Sequence, residues 1–420
     1  MRLLRIYRPY TQYLHQFYAQ RPELVTQSYD AQQAVLMEDC YHWANFLSAA
    51  LRERGYDTDD IAANARPMQQ AWAREHNISF SADHWMEEIL LAQVKAFCPD
   101  VLFVFDWSEQ VGPEFVRECR RVAPSIKLVL GWCGEAHPPA AYFREHDLVL
   151  SCAPDTAADL NRQGIRAVHL NHAFAPRILS RLQKYSTISL AKNDIGFMGQ
   201  VLHGDEFHNQ RAVLLDSIVA ELGIVLYGDV SEVKSFPIAP NVRKRRELYF
   251  KLLEQFDRPG VRFVIPYLPK HRAYLDNRDH EKLRRVFARL HEMAKPPAFG
   301  LEMFGRLAQL KVSLNTHGPS LFASNMRLYE ATGVGTCLLT DWKENLGDLF
   351  EPDREVVTYK NVDECVEKAR YLLDHERERC TIAAAGQRRT LRDHTFTQRA
   401  SHLHEIVSAA IAKGPLPILS

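Results

Sequence analysis

The chain has 420 residues, 46% of them hydrophobic and 25% charged, and Lys plus Arg and Asp plus Glu both total 52. That length and apolar content exclude a disordered chain and fit two or three domains, each with its own core. The charge balance excludes a net field drawing the chain onto nucleic acid or an anionic membrane, and leaves only local patches for peripheral contacts.

The opening run, MRLLRIYRPYTQYLHQFY, has no continuous apolar stretch of signal-peptide type, and nowhere is there an uncharged apolar run of about 18 residues. Neither secretion nor an integral membrane segment is expected. The eight cysteines are scattered and include no C-x-x-C pair, which argues against a zinc site or a redox dithiol. They read as reduced, mostly buried thiols of a cytoplasmic protein.

Taken in chain order, short aliphatic runs alternate with stretches of helical period, the pattern of βαβ units around parallel sheets, so the fold class is α/β. Strands are predicted at LLRIY, VLFVF (101–105), IKLVLG (126–131), LVLS (148–151) and IRAVHL (165–170). The rhythm lapses from Asn171 to Asp194, and a second α/β unit then begins. Its strands are IGFMG (195–199), GIVLYG (223–228), VRFVI (261–265), KVSLN (311–315), TCLLT (336–340) and EVVTY (355–359). Domains are therefore expected at about 1–175 and 190–396. A charged stretch at about 231–298, with NVRKRRELYF and PKHRAYLDNRDHEKLRRVFARLH, reads as a solvated helical insertion or as an acceptor- or phosphate-binding elaboration.

Ligands of open parallel sheets sit beyond the carboxyl ends of the strands, so the residues there carry the functional reading. The densest polar group is NTHGPSLFASNMRLYEATGVGTCLLTD, Asn315 to Asp341. KVSLN delivers Asn315, His317 and Gly318 to the sheet edge, and Ser324 or Asn325 caps a helix beginning near Met326. The first turn of that helix and Arg327 suit a diphosphate, while Glu330 offers a planar two-oxygen acceptor for vicinal hydroxyls. Gly333 and Gly335 permit a tight turn or the close approach of a ligand. The plainer alternative is an i, i+3 ion pair between Arg327 and Glu330, with the glycines merely ending the helix.

A second group opens the second unit: IGFMGQVLHGDEFHNQR, with Gly199, Gln200, His208 and Arg211 near a strand end. In the first unit, Glu135 and His137 in GWCGEAHPP are candidates for a general base, against a surface turn set by Pro138 and Pro139. Asp106 is another candidate base, against a role capping the helix after it. No G-x-G-x-x-G, Walker A, H-E-x-x-H or G-x-S-x-G pattern occurs, which removes support for dinucleotide, triphosphate, zinc-protease and serine-hydrolase chemistry.

From Phe299 to about Leu403 the sequence resembles the carboxyl-terminal domain of the CgeB-like bacterial glycosyltransferases, a group named after a spore-maturation protein. The resemblance rests on GLEMFGRLAQLKVSLNTHG, SNMRLYEATGVGTCLLTD, LFEPDREVVTY and IAAAGQRRTLRDHTF. IGFMGQ with His208 and Arg211 is similar to the opening of that family's donor domain, and NHAFAPRIL to its interdomain linker. The resemblance implies a GT-B fold: two tandem doubly wound, Rossmann-like domains facing a cleft, with a terminal helix from about 397 crossing back to the first. It implies that Asn315, His317, Asn325, Arg327, Glu330, Gly333 and Gly335 belong to the donor-site pattern, with Glu330 on the nucleotide ribose. Related retaining enzymes carry a further Glu eight positions earlier, where this chain has Phe322.

The resemblance further implies sugar transfer from a nucleotide-diphospho-sugar to a glycan, protein or cell-surface acceptor, with no cofactor. No D-x-D motif is assigned to hold a metal, so metal-independent catalysis is expected, with helix amides and Arg211 or Arg327 stabilising the leaving phosphate. An inverting reaction needs a base such as His137, Glu135 or Asp106, and a retaining one lets the departing phosphate take the proton. A nucleotide-sugar epimerase of similar fold and a non-catalytic sugar-nucleotide-binding subunit are the competing readings.

Overall fold

The computed structural model describes residues 1–106, 108–134, 138–185, 193–204, 206–233, 248–249, 251–255, 265 and 271–412. Two all-parallel sheets organise it. The first holds β1 (Arg2–Tyr7), β2 (Asp57–Ala62), β3 (Val101–Phe105), β4 (Leu128–Cys133), β5 (Leu148–Ser151) and β6 (Ala167–His169), in the order β2-β1-β3-β4-β5-β6. The second holds β7 (Asn193–Met198), β8 (Val225–Tyr227), β9 (Leu310–Asn315), β10 (Cys337–Asp341) and β11 (Val357–Tyr359), in the order β11-β10-β9-β7-β8. Counted from its own first strand, each sheet therefore starts to run both ways from one point. That switch point lies between β1 and β3 in the first sheet and between β7 and β9 in the second.

The central strands carry helices on both faces, which is why they read as unbroken apolar runs: every residue of β3 and of β4 is buried. β2 escaped this reading. Its sequence, DTDDIA, carries three carboxylates, yet it pairs with β1 in register from Asp57 opposite Arg2 to Ala62 opposite Tyr7. It forms because it is an edge strand beside an arginine. Arg5 of β1 is 1% exposed, and its Nε donates to Asp60 Oδ1 at 2.6 Å, where Ser48 Oγ also donates at 2.8 Å. β2 also contains a D-x-D triplet, Asp57-Thr58-Asp59, which the expectation of metal-independence passed over. Asp57 is ion-paired with Arg2 at 2.9 Å, and Asp59 accepts from Gln33 and from the Asp60 amide, at the amino end of the strand and away from the carboxyl edge.

The two halves share core. One apolar cluster runs from Leu3 and Phe103 through Phe174 to Phe304, Tyr329 and Phe396. The last described helix, Phe396–Ala412, packs on the helix Phe46–Arg52 of the first half. Arg399 anchors it by donating through Nε to the carbonyls of Asn171 and His172, and Tyr56 OH meets His404 Nδ1 at 2.8 Å. In the charged stretch, residues 271–293 form one helix, His271–Met293, lying along Glu206–Glu221. Most of NVRKRRELYF and the predicted strand VRFVI, apart from its last residue, lie outside the described residues. Among the described residues no helix is long and apolar enough to cross a membrane, and Cys98 and Cys380 are the only exposed thiols.

Candidate functional site

The carboxyl edges of the two sheets face one another across a cavity of about 350 Å³. Strand ends and the loops after them build most of its wall: Met198 ends β7 and Gly199 and Gln200 follow it, Tyr227 ends β8 and Gly228 and Asp229 follow it, and Asn315 ends β9 and Thr316 follows it. The first half contributes Tyr10, Gln12, Tyr41 and His42. Gln12 Nε2 donates to Asp229 Oδ1 across the gap at 3.3 Å.

Gly228 makes this wall possible. A Cβ there would sit 2.0 Å from the Gly199 carbonyl oxygen, so only a residue without a side chain lets the loops after β7 and β8 lie together. Arg211, on the helix Glu206–Glu221, then ties the loops after β7 and β9. Its Nη1 donates to Gln200 O at 2.9 Å and its Nε to Thr316 Oγ1 at 3.3 Å, with the guanidinium stacked 4.3 Å over the Phe207 ring. His208 Nδ1 accepts from the Leu202 amide at 3.3 Å and also lines the cavity.

The helix Arg327–Gly333 enters from the opposite side. Asn325 and Asn315 pair side chain to side chain at 2.9 and 3.3 Å, and Asn325 Oδ1 accepts from the Leu328 amide at 3.4 Å, so Asn325 meets the helix start. Asn315 is held in turn: its Nδ2 donates to Thr340 Oγ1 at 3.0 Å, and its carbonyl accepts from Tyr359 OH at 2.9 Å. Arg327 and Glu330 do form the i, i+3 ion pair, at 2.8 Å. The pair lies in the cavity wall, so it does not exclude the ligand reading. Burial pushes the Glu330 carboxyl up from its ordinary range, and Arg327 pulls it partly back. Arg327 Nε is buried and has no partner among the described residues, an orphan donor of the kind a ligand satisfies.

The predicted site residues thus divide. Gly199, Gln200, His208, Arg211, Asn315, Asn325, Arg327 and Glu330 meet at the interdomain cavity. His317 and Gly318 line a separate, more open groove of about 950 Å³ beyond β9 and β10, whose wall includes Arg211 and Thr316 as well. There the His317 amide and Nδ1 both lie 2.8 Å from Asp341 Oδ1. Burial works to raise the Asp341 carboxyl, but these bonds and the Lys343 ammonium outweigh it and hold the group below its ordinary range.

Gly333 and Gly335 line neither of these two cavities. A Cβ on Gly333 would lie 2.4 Å from the Phe174 ring, so this glycine lets the helix pack on the linker. Gly335, at φ +83°, turns the chain into β10. The Asp106 carboxylate accepts from Ser108 Oγ at 2.7 Å and from the Ser108 amide at 3.2 Å, at the turn that follows β3. It lines neither cavity. Glu135 and His137 lie outside the described residues. Phe322, where related enzymes carry a Glu, lines neither cavity, and its amide donates to Ser320 Oγ at 3.0 Å.

Sequence reasoning missed the first half's contributions, Tyr10, Gln12, Tyr41 and His42. Tyr10 and Gln12 follow the end of β1, before and in the helix Thr11–Ala19, and that strand end was a signal left unused; Tyr41 and His42 lie between two helices with no strand end to mark them.

Residues 252–405 match the model of a family described as glycosyl transferase-like. No curated protein matches the chain in sequence. Among solved structures, the chain is similar to HepE of Anabaena in complex with UDP-glucose, at 10% identity and a TM-score of 0.52, over 97% of this chain and 100% of that one. Sucrose-phosphate synthase from Thermosynechococcus elongatus gives 10% identity and 0.52, over 99% of this chain and 100% of that one. AviGT4, a glycosyltransferase involved in avilamycin A biosynthesis, gives 14% and 0.52, over 99% of each chain. The fold is GT-B. In GT-B terms, the cavity between the carboxyl edges is the cleft of two facing Rossmann-like domains, and the Arg327–Glu330 helix belongs to the second of them.

Proposed function

We propose that this GT-B protein is a glycosyltransferase, transferring a hexosyl group from a nucleotide-diphospho-sugar to the hydroxyl of a glycan, protein or cell-surface acceptor. The observation that carries the reading is the buried Arg327–Glu330 pair, with a spare Arg327 donor, in the wall of a cleft built from both switch points. Ribose asks for a planar acceptor of two hydroxyls, and Glu330 supplies one. The diphosphate asks for cations and backbone donors, which Arg327, Arg211 and the loop at Gly199 supply.

Charge grows on the β-phosphate oxygen as the glycosidic bond breaks. Guanidinium groups fixed beside it lower that barrier without reorganising, because their hydrogen bonds to carbonyls already hold them in place. This supports a metal-independent reaction, with the two arginines doing what a divalent ion does elsewhere. UDP-glucose, bound in the HepE structure, is the first donor to try. The resemblance of the last third to CgeB-like enzymes supports the same class, in a cytoplasmic setting.

The test is a thermal-shift screen against UDP-, GDP-, dTDP- and CMP-sugars, with and without EDTA, on the native protein and on Arg327→Ala with Glu330→Ala. Ligands that bind only the folded state raise its melting temperature by mass action. Stabilisation by one nucleotide class, kept in EDTA and lost in the folded double variant, is the expected result. Absence of any shift at millimolar ligand would sink the reading.

A further inference from the structure

The first half sends one loop into the cleft, between the helices Tyr29–Glu38 and Phe46–Arg52, and its backbone is unusual. Cys40, His42 and Ala44 all have positive φ, at 57°, 55° and 38°, although none is glycine or asparagine. Non-glycine residues persist in this region only when their surroundings over-determine them, and they concentrate at working sites.

The surroundings here are specific. Trp43, 1% exposed, packs against Phe105 and Trp132 with centroids 4.7 and 4.9 Å away, and its Nε1 donates to His172 Nδ1 at 3.0 Å. The Ala44 carbonyl accepts from the buried Arg5 guanidinium, whose Nε is fixed on Asp60. With its two successors nailed into the first domain, His42 is thrown the other way, into the cleft. Its ring stands edge-on to Phe105 at 5.4 Å and lines the same cavity as Arg327 and Glu330. Neither ring nitrogen has a hydrogen-bond partner among the described residues. Burial first, and the Arg5 charge second, push this imidazole down to about 3, so it stands neutral with a lone pair available.

We propose that His42 is the general base of the transfer, accepting the proton of the acceptor hydroxyl as that oxygen attacks the anomeric carbon. The proposal rests on the glycosyltransferase reading and makes the reaction inverting. The acceptor oxygen forms the new bond to the anomeric carbon, the bond from that carbon to the phosphate oxygen breaks, and the nucleoside diphosphate leaves with the bonding pair. The hydroxyl proton moves to the free ring nitrogen of His42. The diphosphate's own negative charge in the cleft favours the imidazolium at that moment, offsetting the burial that keeps the ring neutral in the empty site.

The experiment needs no knowledge of the natural acceptor. UDP-glucose, or whichever sugar nucleotide of the panel stabilises the protein most, is incubated with His42→Ala and His42→Asn, and transfer to water and to azide is measured. Asparagine tolerates the left-handed backbone, so the second variant guards against a folding defect in the first. Water must lose a proton to react and azide need not. The expected result is a fall in donor hydrolysis of about 100-fold in both variants, an unchanged donor Kd, rescue by azide, and inverted product from the wild type. Unchanged hydrolysis, a Kd weakened about tenfold, failure of azide to rescue, or a retained anomer would each overturn the role. Failure of every sugar nucleotide to bind the wild type is a different result: it removes the transferase reading, and this role with it.

Discussion

The two sheets share a strand order, and they use the same place in opposite ways. Between β7 and β9 the switch point is open, walled by Gly199, Asn315, Thr316 and Arg211. Between β1 and β3 it is plugged: Trp43 fills the space above Phe105 and Trp132, and Arg5 beneath holds the plug by the Ala44 carbonyl. Topology thus supplies a crevice in both halves, and side chains decide whether it becomes a pocket or a platform. The open crevice suits a charged ligand, whereas the plugged one offers a rigid face with a single imidazole projecting from it.

The comparison breaks most severely at Arg5. Arg5→Met strands Asp60 as an unpaired buried carboxylate and should cost about 3–5 kcal/mol in urea unfolding, with Asp60→Leu in the same chain recovering most of it. A full-sized loss in the double variant as well would mean that the guanidinium acts through the plug rather than through the ion pair. Arg327→Ala is the counterpart in the open crevice. Water can reach Glu330 through the cleft, so the stability loss should be smaller, about 2 kcal/mol, while sugar-nucleotide affinity measured by calorimetry should fall at least about 100-fold.

Asp39 tests the seam between the halves. It lies against Gly300, accepts from Tyr13 OH at 2.9 Å, and is raised to about 6, chiefly by burial. A carboxyl raised in the folded state keeps its proton where the unfolded chain has lost it. Its contribution is therefore complete below 3.8 and is lost as pH rises through about 6. Wild type minus Asp39→Asn should decline by roughly 3 kcal/mol across that window and stay flat above it, as read from urea midpoints at each pH. A flat difference throughout would show that the seam opens enough to solvate the carboxylate. The smallest effect belongs to Tyr359→Phe, which removes the bond to the Asn315 carbonyl: about 1 kcal/mol in stability, with a few-fold loss of donor affinity by calorimetry.

Much of this molecule could be read from its residues, because parallel strands buried on both faces must be continuous apolar runs. VLFVF, LVLS and TCLLT match strands to within a residue. DTDDIA was illegible for the converse reason: at an edge, with Arg5 as neighbour, a strand can carry carboxylates that look like a loop. The polar residues after β7 and β9 were legible because each sits at a strand end in a chain whose sheets are parallel. Their division between the cleft and the groove of His317 was not, since adjacent residues on an extended backbone point to opposite sides.

Sequence by itself determined the α/β class, the strands of both sheets that matter for the cleft, and the group from Asn315 to Glu330. These follow from local periodicity and from the fixed relation between strand direction and ligand edge. Tertiary structure alone decided which loops of the first half reach the cleft, that Gly333 packs against Phe174, and that His42 is turned outward while Trp43 is turned in. Those outcomes depend on contacts between residues far apart in the chain, such as Trp43 with His172 and Arg5 with Ala44, and no local pattern encodes them.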